Sequence, residues 1–211
     1  NVIGRILWAR AEVGQYLPEW KPKEDYRKSY TADPFQGGGI ILDSSHEIDY
    51  MRWFFGDVSQ VYCLADKISD LDVNVEDTAF ITLRFASGCI GQIHMDFIQR
   101  IRTRTCKIVG AEGTILWDNW DFSIRVFTTK TNKWDHIDIQ ENTNAKYVEE
   151  MKYFLSCLRG SIKPRFDAPS ARETLDVALA AHESAKIQRA VPIPFKSSDT
   201  EVISAPSQDI A

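Results

Sequence analysis

The segment from residue 37 to residue 49 combines a glycine run, an apolar run and side chains that can move a proton. It reads GGGIILDSSHEID, so two carboxylates, Asp43 and Asp49, flank the imidazole of His46. A neutral imidazole accepts a proton near pH 7, and a neighbouring carboxylate can fix its orientation and tautomer. These residues predict proton transfer, with His46 as the acceptor and Asp43 as its orienting partner.

The same segment predicts the start of a helix that would position these groups. Ser44 precedes Glu47 by three residues, which is the capping-box pattern, and the apolar periodicity continues to Phe55. His46 would then lie in the first turn, where the positive end of the helix dipole disfavours a protonated ring. Three- and four-residue spacing would align part of the set Asp43, His46, Asp49, Tyr50 and Trp53. Taken alone, the spacing equally suits an N-cap followed by a structural histidine.

Aromatic and charged residues also alternate in the loop that precedes the glycine run. This loop, residues 17–30, reads LPEWKPKEDYRKSY. Aromatic rings stack on the apolar face of a sugar, and charged side chains hydrogen-bond its hydroxyls or an attached anionic group. We therefore expect substrate contacts from Trp20, Arg27 and Tyr30, together with Asp49. An ordinary surface loop anchored by a few aromatic rings is the alternative.

A metal site is a weaker interpretation of the histidines. His94 and Asp96 share one side of a predicted strand and could join His46 around a divalent ion. Their expected neighbours on that side form a mixed-charge surface, which favours a subunit interface instead. Those neighbours are Thr82, Arg84, Arg104 and Lys107. We expect no metal.

Composition narrows the class of protein. The 211 residues carry 25 basic and 30 acidic side chains, a net charge of -5 that argues against a nucleic-acid partner. No apolar run approaches the ~20 residues of a membrane span, and the four cysteines are scattered. These features predict a cytoplasmic protein with reduced thiols, no membrane partner and a small polar ligand.

Strands and helices are segregated along the chain, which predicts an α+β fold. Two helices, at residues 147–158 and about 170–189, follow the strands and should cover a sheet. The second should pack closely through a face of smaller residues, namely Ala171, Leu175, Ala178, Ala181 and Ala185. In one strand Ile93, Met95 and Phe97 alternate with polar residues, so one sheet face should be apolar. The six expected strands are 58–65, 78–85, 89–98, 104–109, 114–117 and 124–128.

Several motifs occur together in an order that resembles a known family. The motifs are residues 9–18, the glycine run with Asp43, residues 46–49 and 51–56, Glu76 to Ala79, Gly110 to Thr114, and residues 164–191. Together they closely resemble the C-terminal domain of the glucose-fructose oxidoreductase / inositol dehydrogenase / MocA (Gfo/Idh/MocA) family. The resemblance covers nearly the whole chain.

This resemblance implies an NAD(P)-dependent oxidoreductase of sugars, cyclitols or related polyols. It also implies an open, mostly antiparallel β-sheet with helices packed on one face and a homo-oligomer formed through the other. In that family a histidine, an Asp and a Lys from an E-K-P segment handle the proton of the substrate hydroxyl while the hydride passes to the nicotinamide. The resemblance implies that His46 is this histidine. Asp43 lies three residues before His46, whereas four is the common family spacing.

Two family features are missing from this sequence, namely the G-x-G-x-x-G motif and the E-K-P lysine. We therefore expect a piece of a longer protein whose N-terminal Rossmann domain binds most of the NAD or NADP. Residues 1–195 would be a substrate-binding and oligomerisation domain, inactive alone, and residues 196–211 an arm or tail. A non-catalytic binding or oligomerisation module of the same fold is the alternative.

Overall fold

The computed structural model describes residues 2–139 and 144–194, and the expected tail at 196–211 lies outside these residues. Within them, nine strands form one sheet in the order β8-β7-β6-β5-β1-β4-β3-β2-β9. The strands are β1 (Ile6–Gly14), β2 (Val58–Asp66), β3 (Thr78–Phe85), β4 (Ile90–Asp96), β5 (Thr103–Gly110), β6 (Gly113–Asp118), β7 (Ser123–Thr128), β8 (Lys133–Asp138) and β9 (Val191–Pro192). The helices are α1 (Ile40–Asp43), α2 (His46–Phe55), α3 (Ala145–Leu158) and α4 (Ala168–Ile187).

The sheet is antiparallel except where β1 lies parallel to β4. After β1 the chain leaves the sheet through a long loop, α1 and α2 before β2 begins. That excursion carries the glycine run and His46 over the centre of the sheet. The expected α+β architecture, with an open and mostly antiparallel sheet, is confirmed.

The six strands expected from the sequence correspond to β2 to β7, with ends that differ by at most two residues. Strand β8 is not predicted by the sequence, because all six of its residues are exposed and no apolar face marks it. The short strand β9 is likewise missed. The predicted alternation in β4 is confirmed, since Ile93, Met95 and the following Phe97 are fully buried.

Helices α2 and α4 pack on this apolar face. From α2, Ile48 and Met51 are fully buried, and burial of each such side chain contributes about 1.5–3 kcal/mol. The expected face of α4 is confirmed at Ala178 and Ala181, which are fully buried, but not at Ala171 and Leu175, which are exposed. Its buried residues are Thr174, Val177, Ala178, Ala180, Ala181 and Ser184. The buried Ser184 ties α4 to the sheet, since its hydroxyl accepts a 2.9 Å hydrogen bond from the Cys63 backbone N–H in β2.

Helix α3 does not cover the described sheet as the sequence predicts. None of its residues is buried. Its apolar side chains, exposed within the described part of the chain, are Tyr147, Val148, Met151, Phe154, Leu155 and Leu158. Across residues 2–139 and 144–194, no helix is both long enough and apolar enough to span a membrane.

Candidate active site

The loop that leads from β1 to the glycine run is ordered by local hydrogen bonds. Three short 3-10 turns are each capped by a side chain, from Asp25, Ser29 and Asp33. Trp20 is anchored by an indole N–H that donates to the Gln15 carbonyl at 3.0 Å, and its ring packs edge-on against Phe97. The Trp20 side chain is therefore held in place.

The glycine run packs against the protein itself. Gly39 has φ of +102°, and a Cβ at this position would collide with the Glu76 carboxylate. Glu76 Oε1 accepts a 3.2 Å hydrogen bond from the Ile41 backbone N–H, so this carboxylate occupies the start of α1. A dinucleotide pyrophosphate would meet a negative charge here, so the start of α1 does not fit the pyrophosphate of a nicotinamide cofactor.

Helix α2 begins at His46, which places the imidazole in the first turn as predicted. The predicted capping box is wrong, because the cap residue is Ser45 and its side chain makes no capping hydrogen bond. Glu47 instead turns inward, is fully buried, and accepts a 2.7 Å hydrogen bond from Arg104 Nε. An ion pair with a distant strand has replaced the local cap.

Asp43 is held by the preceding loop. Its Oδ1 accepts a 2.7 Å hydrogen bond from the Tyr30 hydroxyl, and its Oδ2 lies 3.5 Å from Thr31 Oγ1. The hydrogen bond to Asp43 raises the pKa of Tyr30, so the phenol keeps its proton at neutral pH. The exposed His46 imidazole makes no hydrogen bond to any residue in the described ranges. Asp43 is therefore bonded to Tyr30 rather than to His46.

These side chains line a cavity of about 280 Å³. Trp20, Tyr30, Asp43 and His46 form part of its wall. Further wall residues, which include Arg102, Arg104 and Trp120, come from the segment around β5 and from the turn after β6. The cavity thus combines a proton acceptor, a hydrogen-bonded carboxylate, aromatic surface and two guanidinium groups.

Two of the residues expected to bind substrate do not line this cavity. Arg27 forms a 2.8 Å ion pair with Asp25, which lowers the pKa of that carboxyl. Asp49 accepts a 2.8 Å hydrogen bond from Thr174 in α4, because the helix turns this position toward α4. The predicted stripe along α2 is therefore divided between the cavity and a helix contact.

The sequence predicts Arg104 and Lys107 on the same side of the sheet as His94. This prediction is wrong for Arg104. Residues three apart on a strand point to opposite sides, and Arg104 faces the helices. A usable signal is the alternation RIRTRT at residues 100–105, which puts Arg102 and Arg104 on one side. His94 Nε2 lies 2.8 Å from Asp96 Oδ2, and the described ranges hold no cluster of three metal-binding side chains.

Glu47 is the buried charge beneath the cavity. Burial raises the pKa of its carboxyl, and the Arg104 guanidinium partly opposes that rise. Its second oxygen, Oε2, is buried and has no hydrogen-bond partner within residues 2–139 and 144–194. The ion pair therefore fixes one side of the Arg104 guanidinium. The rest of the Arg104 side chain, which is 30% exposed, faces the cavity.

An open, mostly antiparallel sheet with the His46 helix in the connection from β1 to β2 is the architecture of the C-terminal domain of an oxidoreductase family. Residues 1–116, more than half of the chain, match the model of the GFO/IDH/MocA C-terminal domain. The chain belongs to this family.

Curated relatives resemble the chain at modest identity. A myo-inositol 2-dehydrogenase from Thermotoga maritima is 26% identical over 171 residues, which is 74% of this chain and 49% of that protein. A 1,5-anhydro-D-fructose reductase from Ensifer adhaerens is 28% identical over 123 residues, or 56% of this chain and 34% of that protein. The chain thus spans about half or less of the curated relatives it matches.

Solved structures share the fold. Levoglucosan dehydrogenase in complex with NADH and levoglucosan superposes with a TM-score of 0.78 at 21% identity, over 92% of this chain and 60% of that one. An oxidoreductase from Agrobacterium radiobacter, in complex with NAD+, L-tartaric acid and magnesium, gives 0.76 at 20% identity over 92% and 58% of the two chains.

Proposed function

We propose that this chain is the substrate-binding part of an NAD(P)-dependent oxidoreductase that transfers a hydride between a sugar, cyclitol or related polyol and the nicotinamide. The observation that carries the proposal is the exposed His46 at the first turn of α2, on the wall of a cavity that also holds Asp43 and Tyr30. Family membership and the polyol-related names of the curated relatives support it.

In this proposal His46 accepts the proton of the substrate hydroxyl as the carbon is oxidised. Asp43 holds Tyr30 so that the tyrosine oxygen can accept a hydrogen bond from a second substrate hydroxyl. Trp20 offers an aromatic surface for the sugar ring. The nicotinamide would supply the hydride acceptor. We assign its binding mainly to an N-terminal Rossmann domain of a longer protein, which this fragment would need for activity.

Two further features belong to the proposal. The helix-free sheet face exposes Trp8, Phe80 and Ile90, and we assign it to homo-oligomer formation. The four free cysteines suit a cytoplasmic protein, and burial raises the pKa of Cys63 and Cys106 to about 12, which keeps both as thiols.

The test uses the full gene product that carries this chain. Reduction of NAD+ and NADP+ is measured with a panel of polyols, and His46→Ala should lower turnover by about 100-fold or more. His136→Ala is the matched control, because His136 is exposed on β8 and bonds only to the neighbouring Asp138 within the described residues. Unchanged turnover in the His46 variant would remove the proposed base.

A further inference from the structure

The two arginines in the cavity wall lie in different environments. Arg104 Nε donates to the buried Glu47, and the guanidinium has four further N–H groups on its terminal nitrogens. Those nitrogens have no partner within residues 2–139 and 144–194, and the side chain lines the cavity. Glu47 therefore fixes the guanidinium by one edge and leaves the other edge available to a ligand.

Arg102 is held differently. Its guanidinium lies over the Trp120 ring, 4.4 Å from the ring centre, and no carboxylate pairs with it in the described ranges. Stacking restricts the side chain without neutralising its charge. Arg100, two residues earlier, differs because it lies over Tyr16 and pairs with Glu19 at 3.6 Å, outside the cavity.

The charges of the cavity wall are not paired one to one. Asp43 keeps its negative charge, because its partners Tyr30 and Thr31 are neutral, and it forms no ion pair with either arginine in the described ranges. Glu47 pairs with the Nε edge of Arg104, so Arg102 and the other edge of Arg104 have no carboxylate partner there. Guanidinium edges bind carboxylate and phosphate oxygens in pairs, with charge-assisted hydrogen bonds.

We infer that the substrate carries an anionic group, a carboxylate or a phosphate, which Arg104 and Arg102 bind while His46 faces the reacting hydroxyl. This inference rests on the proposed function and narrows its substrate class from polyols in general to acidic sugars or sugar acids. Arg102 and Arg104 become specificity-determining residues, and Glu47 is the positioning residue for Arg104.

The test is calorimetric titration of the full gene product with D-glucuronate, D-glucose 6-phosphate and D-glucose in the presence of saturating NADH, which prevents oxidation. At least one acid should bind about tenfold or more tightly than D-glucose, and the better acid identifies carboxylate or phosphate. Arg102→Met should remove that preference. Arg100→Met should retain the preference.

A second variant addresses the buried pair. Arg104→Met combined with Glu47→Gln removes both charges together, so a folding defect from an isolated buried carboxylate is avoided, and it should also abolish the acid preference. Equal affinity for the three sugars, no binding by either acid, or an unchanged preference in Arg102→Met overturns the inference. A loss of NADH affinity in place of acid affinity overturns it as well, because the cofactor would then be the anion.

Failure of the inference and failure of the proposed function give different results. If neutral polyols reduce NAD(P)+ and no acid preference exists, the inference fails and the oxidoreductase stands. If the acid preference depends on Arg102 but no polyol or sugar acid reduces NAD(P)+, the binding inference stands and the proposed reaction fails.

Discussion

The Tyr30 hydroxyl donates a 2.7 Å hydrogen bond to Asp43 Oδ1 across 13 residues of sequence. This bond connects the loop after β1 to the end of α1, just before His46 begins α2. It gives the Asp43 carboxylate a partner in the loop, so the shape of the cavity wall depends on the loop remaining in place.

Tyr30→Phe should lower the free energy of unfolding by about 1 kcal/mol, because a partly exposed hydrogen bond to a carboxylate is lost. The pKa of Tyr30 is raised in the folded state, so the contribution is present below pH ~10 and is lost as pH rises through the folded pKa. Urea unfolding of both proteins at pH 7 and pH 10.5 measures this. A difference that grows at high pH would contradict the assignment.

Arg104→Met should destabilise the protein by about 3–5 kcal/mol, because it leaves the fully buried Glu47 carboxylate without its cation. Adding Glu47→Gln should recover most of that loss, since the remaining side chain is uncharged. Thermal and urea unfolding of the two variants decide the point. Equal stability of the single and double variants would show that Glu47 is not the charge that Arg104 neutralises.

Glu47 also predicts a pH dependence of stability. Burial raises its pKa in the folded state, so the folded protein loses stability as pH rises from about 4.3, the unfolded value, through the folded pKa. The Gln side chain of a Glu47→Gln variant has no titratable proton in this pH range. Its stability relative to the natural protein should therefore increase between pH 4 and pH 7, as measured by urea unfolding. A relative stability that falls over this range would mean that the pKa is lowered instead.

Gly39→Ala should destabilise the protein by more than about 1 kcal/mol, because φ is +102° and the new methyl group meets the Glu76 carboxylate. Gly37→Ala is the matched control, since Gly37 also has positive φ but has open space where the added methyl group would lie. The control should show only the backbone cost. If circular-dichroism melts show the same loss of stability in the two variants, the Glu76 contact does not contribute to the cost of Gly39→Ala.

Local pattern was sufficient for much of the fold. Two-residue alternation predicts β2 to β7 almost to their ends, and β2, β3, β4 and β5 each have one side against the core. It fails for β8, whose residues are all exposed, and it leaves α3 without the surface that its apolar side predicts. Alternation and helical periodicity report burial only where the chain itself supplies the covering element.

The sequence by itself determined that a helix follows the glycine run and that His46 lies in its first turn. Only the tertiary structure decided what the neighbouring carboxylates do. Asp43 bonds to Tyr30, Asp49 to Thr174, and Glu47 to Arg104, which is 57 residues away. Strand pairing brings Arg104 to Glu47, where a charge-assisted hydrogen bond forms that no local spacing encodes.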